Sequence, residues 1–173
     1  MQLLPKEHSF NEPLGLLSDC HRRVEKFLNV LLKVGQEAPE DQLTPLYLQG
    51  LETALDYFRD AAPKHTEDEE HSLFPRITHD SRAREIIDRL ESDHDAVEPL
   101  HAKVEEFGRD WLRAGVISPK NRQAFTLTVE ELIAHYRNHI REEDEVLFPL
   151  AAKLLDPEEV KAIGREMETR RHS

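Results

Sequence analysis

Apolar positions recur along this chain at steps of three and four, the spacing that lines one face of an α-helix. After Asn11, Glu12 and Pro13 the stripe Leu14, Leu17, His21, Val24, Leu28, Leu31 runs to Gly35, which the pattern takes as the helix end. Thr44-Pro45 opens a second stripe of Leu48, Leu51, Leu55, Phe58, Ala62, His65 and Glu69. Asp80-Ser81 opens a third with Ile87, Leu90, His94, Val97, His101 and Val104, closed by Gly115. Ser118-Pro119 opens a fourth with Phe125, Thr128, Leu132, His135, His139, Glu143, Val146 and Leu150. Asp156, Pro157, Glu158 and Glu159 read as the start of a short fifth helix over about 157–170. Four long amphipathic helices with short connections predict an all-α, up-down-up-down four-helix bundle with a short fifth C-terminal helix. Pro63 and Pro99 fall inside the second and third stripes, which predicts kinks there.

The pattern also repeats. The segment HTEDEEHSLFP at 65–75 aligns on HIREEDEVLFP at 139–149, with acidic residues opposite each other at 68/142 and 70/144. A similar shift places Val24 and Glu25 on Val97 and Glu98, with His21 on His94. The bundle therefore reads as two copies of one helical hairpin. Each copy brings one histidine from its first helix and a His-x-x-x-Glu from its second.

Composition narrows the classes. At 173 residues with 38% apolar and 34% charged residues, the chain fits one domain over 1–173, with a core bundle at about 11–155. A net charge of −12 repels phosphate backbones and anionic lipid, so no nucleic-acid partner and no membrane partner is expected. No apolar run approaches the roughly 18 residues of a membrane span, and the start lacks the basic and apolar regions of a signal peptide. The single cysteine, Cys20, has no internal disulfide partner, which suits a reducing compartment; a cytoplasmic location is expected.

The 10 histidines carry the chemistry. His21, His65, His94 and His139 each replace an apolar residue on the inward stripe of a different helix. Burying an unpartnered imidazole costs on the order of 1–3 kcal/mol, and four helices do so together. Glu69 and Glu143 lie one turn beyond His65 and His139 on the same face. A metal resolves the conflict, because imidazoles and carboxylates are the ligands that transition metals take from bundle cores. Six ligands exceed the need of one tetrahedral zinc, so two ions are expected. Pseudo-twofold symmetry then gives each ion one histidine from each type of helix, with both glutamates placed to bridge.

The arrangement H…HxxxE…H…HxxxE, running twice into Leu-Phe-Pro, resembles the hemerythrin-like HHE cation-binding family over roughly Asn11 to Glu159. The resemblance implies a non-haem di-iron centre (Fe2+/Fe3+) with two bridging carboxylates and an oxo or hydroxo bridge, zinc or manganese being possible substitutes. Matched position by position, the implied ligands are His21, His65, Glu69, His94, His139 and Glu143. The sequence departs from oxygen-carrying hemerythrins on the third helix, where Glu98 stands in place of a second histidine. On the fourth helix Asp144 has the spacing of their aspartate, while the internal repeat favours Glu143. The implied function is binding of oxygen, nitric oxide or a related small ligand for sensing, storage or iron and redox homeostasis. The alternative is an oxidoreductase that turns over peroxide or nitric oxide, or a donor of iron for repair of damaged centres.

His135, His101, Glu98 and Tyr47 are candidates for additional ligands or supporting groups. His135 lies one turn before His139. Antiparallel packing puts His101 and His135 on one side of the metal layer, where they would support the ligands or line an access path. Tyr57 and Tyr136 are read as packing residues, and Cys20 as an inert one pointing about 100° from His21. His8, His71, His79 and His172 are read as surface residues. A ferritin-like carboxylate pattern fits less well, because Glu91-x-x-His94 and Glu98-x-x-His101 fall on one helix. A di-zinc hydrolase lacks a recognisable substrate cleft or nucleophile motif.

Overall fold

The computed structural model describes residues 7–40 and 42–172, and all regular structure among them is helical. Helix α1 spans Pro13–Glu37. Helix α2 begins as Pro45–Asp60 and continues through Ala62–Asp68, a π-helical turn Glu69–Leu73, and Phe74–Ile77. Helix α3 is Ser81–Ala114. Helix α4 is Pro119–Glu142, followed by a second π-helical turn Glu143–Leu147 and by Phe148–Leu154. Helix α5 is Pro157–His172.

The boundaries follow local chemistry. Asp80 accepts from the backbone N–H groups of Arg82 and Ala83, and Ser118 from that of Asn121, satisfying donors that a helix start leaves free. Gly115, at φ 73°, takes the left-handed conformation that ends α3. Asp156 accepts from the N–H groups of Glu158 and Glu159 while Glu159 reaches back to the Asp156 N–H, a capping box. Gly35 does not end α1, which runs on to Glu37, because nothing there calls for a left-handed residue. The chain breaks at Ala61, ahead of Pro63, as a proline in that pattern demands. Pro99 lies inside α3, which continues through it without a break.

The four long helices pack as a ring, α1 against α2, α2 against α3, α3 against α4, and α4 against α1. Two apolar clusters fill the ring. One contains Leu28, Leu31, Leu51, Leu55, Trp111, Phe125 and Leu132. The other contains Leu17, Leu73, Phe74, Ile87, Leu90, Leu147 and Phe148, together with Ile163 and Met167 of α5. The inward histidines and glutamates form a polar layer between the two.

The π turns shift the pattern of buried residues. His65, Glu69, Leu73 and Ile77 are all buried, as are His139, Glu143, Leu147 and Ala151. Steps of four overshoot a straight helix by about 40° each, and a wider turn absorbs that drift. In consequence Val146, expected on the inward stripe with Leu150, is 49% exposed, and Leu147 takes its place in the core. Leu48, on the first turn of α2, is likewise exposed.

Candidate metal centre

The six inward residues meet in two groups that share both carboxylates. His21, His65, Glu69 and Glu143 form one; Glu69, His94, His139 and Glu143 form the other. Within each group, one ligand atom per residue lies within 4.8 Å of all the others. Glu69 faces both sides: Oε1 lies 3.1 Å from His65 Nε2 and 3.7 Å from His21 Nε2, and Oε2 lies 3.5 Å from His94 Nε2. Glu143 Oε2 lies 2.9 Å from His21 Nε2 and 3.3 Å from His139 Nε2.

These short distances are not matched by hydrogen bonds. His21 Nε2 and all four oxygens of Glu69 and Glu143 are buried without a hydrogen-bond partner. His94 Nε2 and His139 Nε2 lie 3.2 Å apart; acceptor atoms gathered together without partners suit a cation, and a buried unpaired carboxylate is otherwise costly. The donor set thus fits a metal centre.

The outer nitrogens of His21 and His94 are held from across the repeat. Asp144 Oδ1 lies 3.0 Å from His21 Nδ1 and accepts from Ser18 Oγ at 2.7 Å. Glu70 Oε1 lies 2.7 Å from His94 Nδ1. A carboxylate on Nδ1 selects the tautomer that leaves Nε2 free for a metal. The acidic match at 70/144 was the sequence signal for this pairing, because each member serves the histidine of the other hairpin. Phe148 stacks on His21 and Phe74 on His94, with centroids 5.5 and 6.5 Å apart, so the Leu-Phe-Pro segments wall the layer with rings.

Without metal, the layer balances its charge with protons. Burial disfavours a charged His21, but the carboxylates of Asp144, Glu143 and Glu69 outweigh it and push its pKa up to about 12. Burial likewise opposes charge on His94, and Glu69 and Glu70 raise it to about 9. Against burial, His65, His21 and His94 hold Glu69 well below the usual carboxylate range. Imidazolium groups thus stand where cations would, and metal uptake has to expel their protons.

The remaining candidates lie outside both groups. His135 is half-buried and joins neither. Tyr47 packs against the apolar cluster around Trp111, and Glu98 is exposed beside His101 in a groove between α2 and α3. His101 Nε2 is 2.9 Å from the Tyr136 hydroxyl, and burial lowers the His101 pKa to about 4, so it is a neutral partner. Tyr136 packs against the apolar core as expected; its ring lies 6.3 Å from that of His139, and burial raises its pKa. Cys20 is not isolated either. It accepts from Arg23 Nη2 at 3.1 Å, and although burial opposes ionisation, the neighbouring His65 and Arg23 lower its pKa.

One cluster carried no signal in the helical pattern. Asp68, fully buried between His65 and Glu69 in the chain, is paired with Arg170 at 2.8 Å and with Arg171, both from α5. Arg170 also donates to Ser72 Oγ at 2.7 Å, and Arg76 joins Glu166 at 2.6 Å. At Gly164 a side chain would run into the Phe10 carbonyl, so α5 sits closely on the N-terminal segment. Helix α5 thereby covers the outer face of the first π turn.

Comparison with known proteins agrees with this geometry. The chain is similar to an uncharacterized protein of Haemophilus influenzae, 29% identical over 178 residues that cover 99% of this chain and 98% of that protein. The model of the hemerythrin HHE cation binding domain matches residues 12–151, from the start of α1 to the last turn of α4. On that match, the chain belongs to the hemerythrin HHE cation-binding family.

Proposed function

We propose that this chain is a non-haem di-iron protein that takes up oxygen, nitric oxide or a related small ligand, serving sensing, storage or iron and redox homeostasis in the cytoplasm. The observation that carries the reading is the sharing of Glu69 and Glu143 between two histidine pairs in a buried layer whose carboxylate oxygens have no other partner. His21 and His65 would hold one ion, His94 and His139 the other, and the two glutamates would span them. Two divalent ions, two glutamates and one hydroxide leave a single positive charge, which the nearby Asp144 and Glu70 offset. Bound iron supplies one-electron redox chemistry and a coordination position for a small ligand. The chain's own residues orient and enclose it. Asp144 and Glu70 fix the imidazoles of His21 and His94, Phe74 and Phe148 exclude water, and the Tyr136 ring, its hydroxyl held by His101, packs beside His139.

Metal analysis of protein produced with iron supplementation gives the first test. Two irons per chain are expected, and zinc or manganese in their place would change the assignment. Adding oxygen or nitric oxide to the anaerobically reduced protein gives the second. A stable, reversible spectral change supports ligand binding, whereas irreversible oxidation with turnover supports the oxidoreductase alternative. Loss of one iron to an acceptor protein would support a donor.

A further inference from the structure

The internal repeat gives the metal layer its own control, because each residue around one half has a counterpart in the other. His21 and His94 have matching carboxylates on their outer nitrogens, Asp144 and Glu70. The other two histidines do not match. His139 Nδ1 lies 3.5 Å from Asp93 Oδ2, within ion-pair reach of a carboxylate but not hydrogen-bonded to it. In the first hairpin the residue at the place of Asp93 is Cys20, and His65 Nδ1 is buried with no hydrogen-bond partner. The sulfur beside that ring is already engaged by the guanidinium of Arg23. Arg23 itself has Ala96 as its counterpart, so the first half carries a cationic group where the second carries none.

We infer that the two halves of the layer bind cations unequally: His94 and His139 form the tighter site, while His21 and His65 form a weaker one that fills second and empties first. The inference rests on the dinuclear reading above. An outer carboxylate orients a ligating imidazole and raises its basicity, and such partners are worth about 10–100-fold in metal affinity. A thiol is a weaker acceptor than a carboxylate, and this one shares its sulfur with Arg23, so it supplies less of that effect. Glu69 and Glu143 each reach both halves, so the ion that remains keeps α2, α3 and α4 tied together while the other is exchanged. The arrangement suits a protein that parts with one metal ion without unfolding.

The test is equilibrium competition of the cobalt(II)-loaded, full-length protein against a chelator. Two ions per chain are expected, with step affinities separated by about tenfold or more beyond the statistical difference. Asp93→Asn should weaken the tighter step by about tenfold and narrow the gap. Cys20→Asp should tighten the weaker step. Cys20 is buried, so Asp93, whose side chain is 42% exposed, carries the test if Cys20→Asp does not fold. Two ions held with equal affinity, or an Asp93→Asn effect confined to the weaker step, would overturn the inference alone. A chain that takes up no cobalt would overturn the dinuclear reading and the inference with it.

Discussion

The two hairpins present the same residues to the metal layer and differ in what stands behind them. In the first, Asp68, Ser72 and Arg76 form a row that α5 covers with Arg170, Arg171 and Glu166. In the second, the matching positions are Glu142, Val146 and Leu150. Glu142 pairs with the half-exposed Arg89, and Val146 lies open. The inner faces are alike because both have the same ligands to orient. The outer faces have no such shared duty, and only one of them is built to be covered. The repeated motif places the layer, and residues beyond the motif decide how firmly each half is held.

Removing the metal should have the largest effect, since it removes what the two halves share. With free metal a thousandfold above Kd, binding stabilises by about 4 kcal/mol per site. The metal-free chain should therefore melt roughly 15 °C or more below the loaded one, measured by scanning calorimetry with and without chelator. The metal-free chain should also respond to base. The His94 pKa is raised from 6.5 to about 9 on folding, so its stabilisation is complete below pH 6.5 and is lost as pH rises through about 9. A melting temperature flat from pH 6.5 to 9.5 would remove imidazolium as the stand-in for the cation.

Breaking the buried ion pairs addresses the comparison directly. Arg170→Ala combined with Arg171→Ala leaves Asp68 buried and unpaired, and should cost about 3–5 kcal/mol in urea unfolding. Arg89→Ala, at the matching pair in the second hairpin, should cost less than about 1 kcal/mol because that pair is exposed. Similar costs for both would erase the distinction drawn here.

His101 is a smaller asymmetry, with Leu28 as its counterpart in the first hairpin. Its folded pKa of about 4 lies below the unfolded 6.5, so the unfolded chain takes up the proton first and stability falls as pH drops from 6.5 toward 4. His101→Gln should flatten that limb in metal-free protein, by roughly 3 kcal/mol at most. An unchanged acid limb would place the loss elsewhere. The smallest effect is expected at Val146→Ser, within about 0.5 kcal/mol, because no helix covers that face.

The fold was legible because its signals are local and repeat. Stripes, caps and Pro-Gly punctuation gave the five helices, and burial of six ionisable residues at matching positions gave the layer. The π turns were present in the sequence as an unbroken run of steps of four, from His65 to Ile77 and from His139 to Ala151. Reading the second run with an α-helical step put Val146 inside instead of Leu147. The pairing of Asp68 with Arg170 and Arg171 was not legible, because those partners lie 102 and 103 residues apart and no periodicity links them. The spacing of Cys20 from His21 gave only its direction on α1. What the angle did not give was the neighbour across the helix interface, His65.

The ion pairs on Asp68 also bear on the order in which the molecule is completed. All six inward residues have been synthesised by Glu143, and Arg170 follows 27 residues later, roughly 1–5 s at ordinary translation rates. A growing chain therefore holds every inward group before the cover over the first π turn exists. Until α5 is made, the buried Asp68 lacks the two arginines that pair with it. The last residues to be made thus close the first hairpin, through two arginines that lie outside the six inward residues.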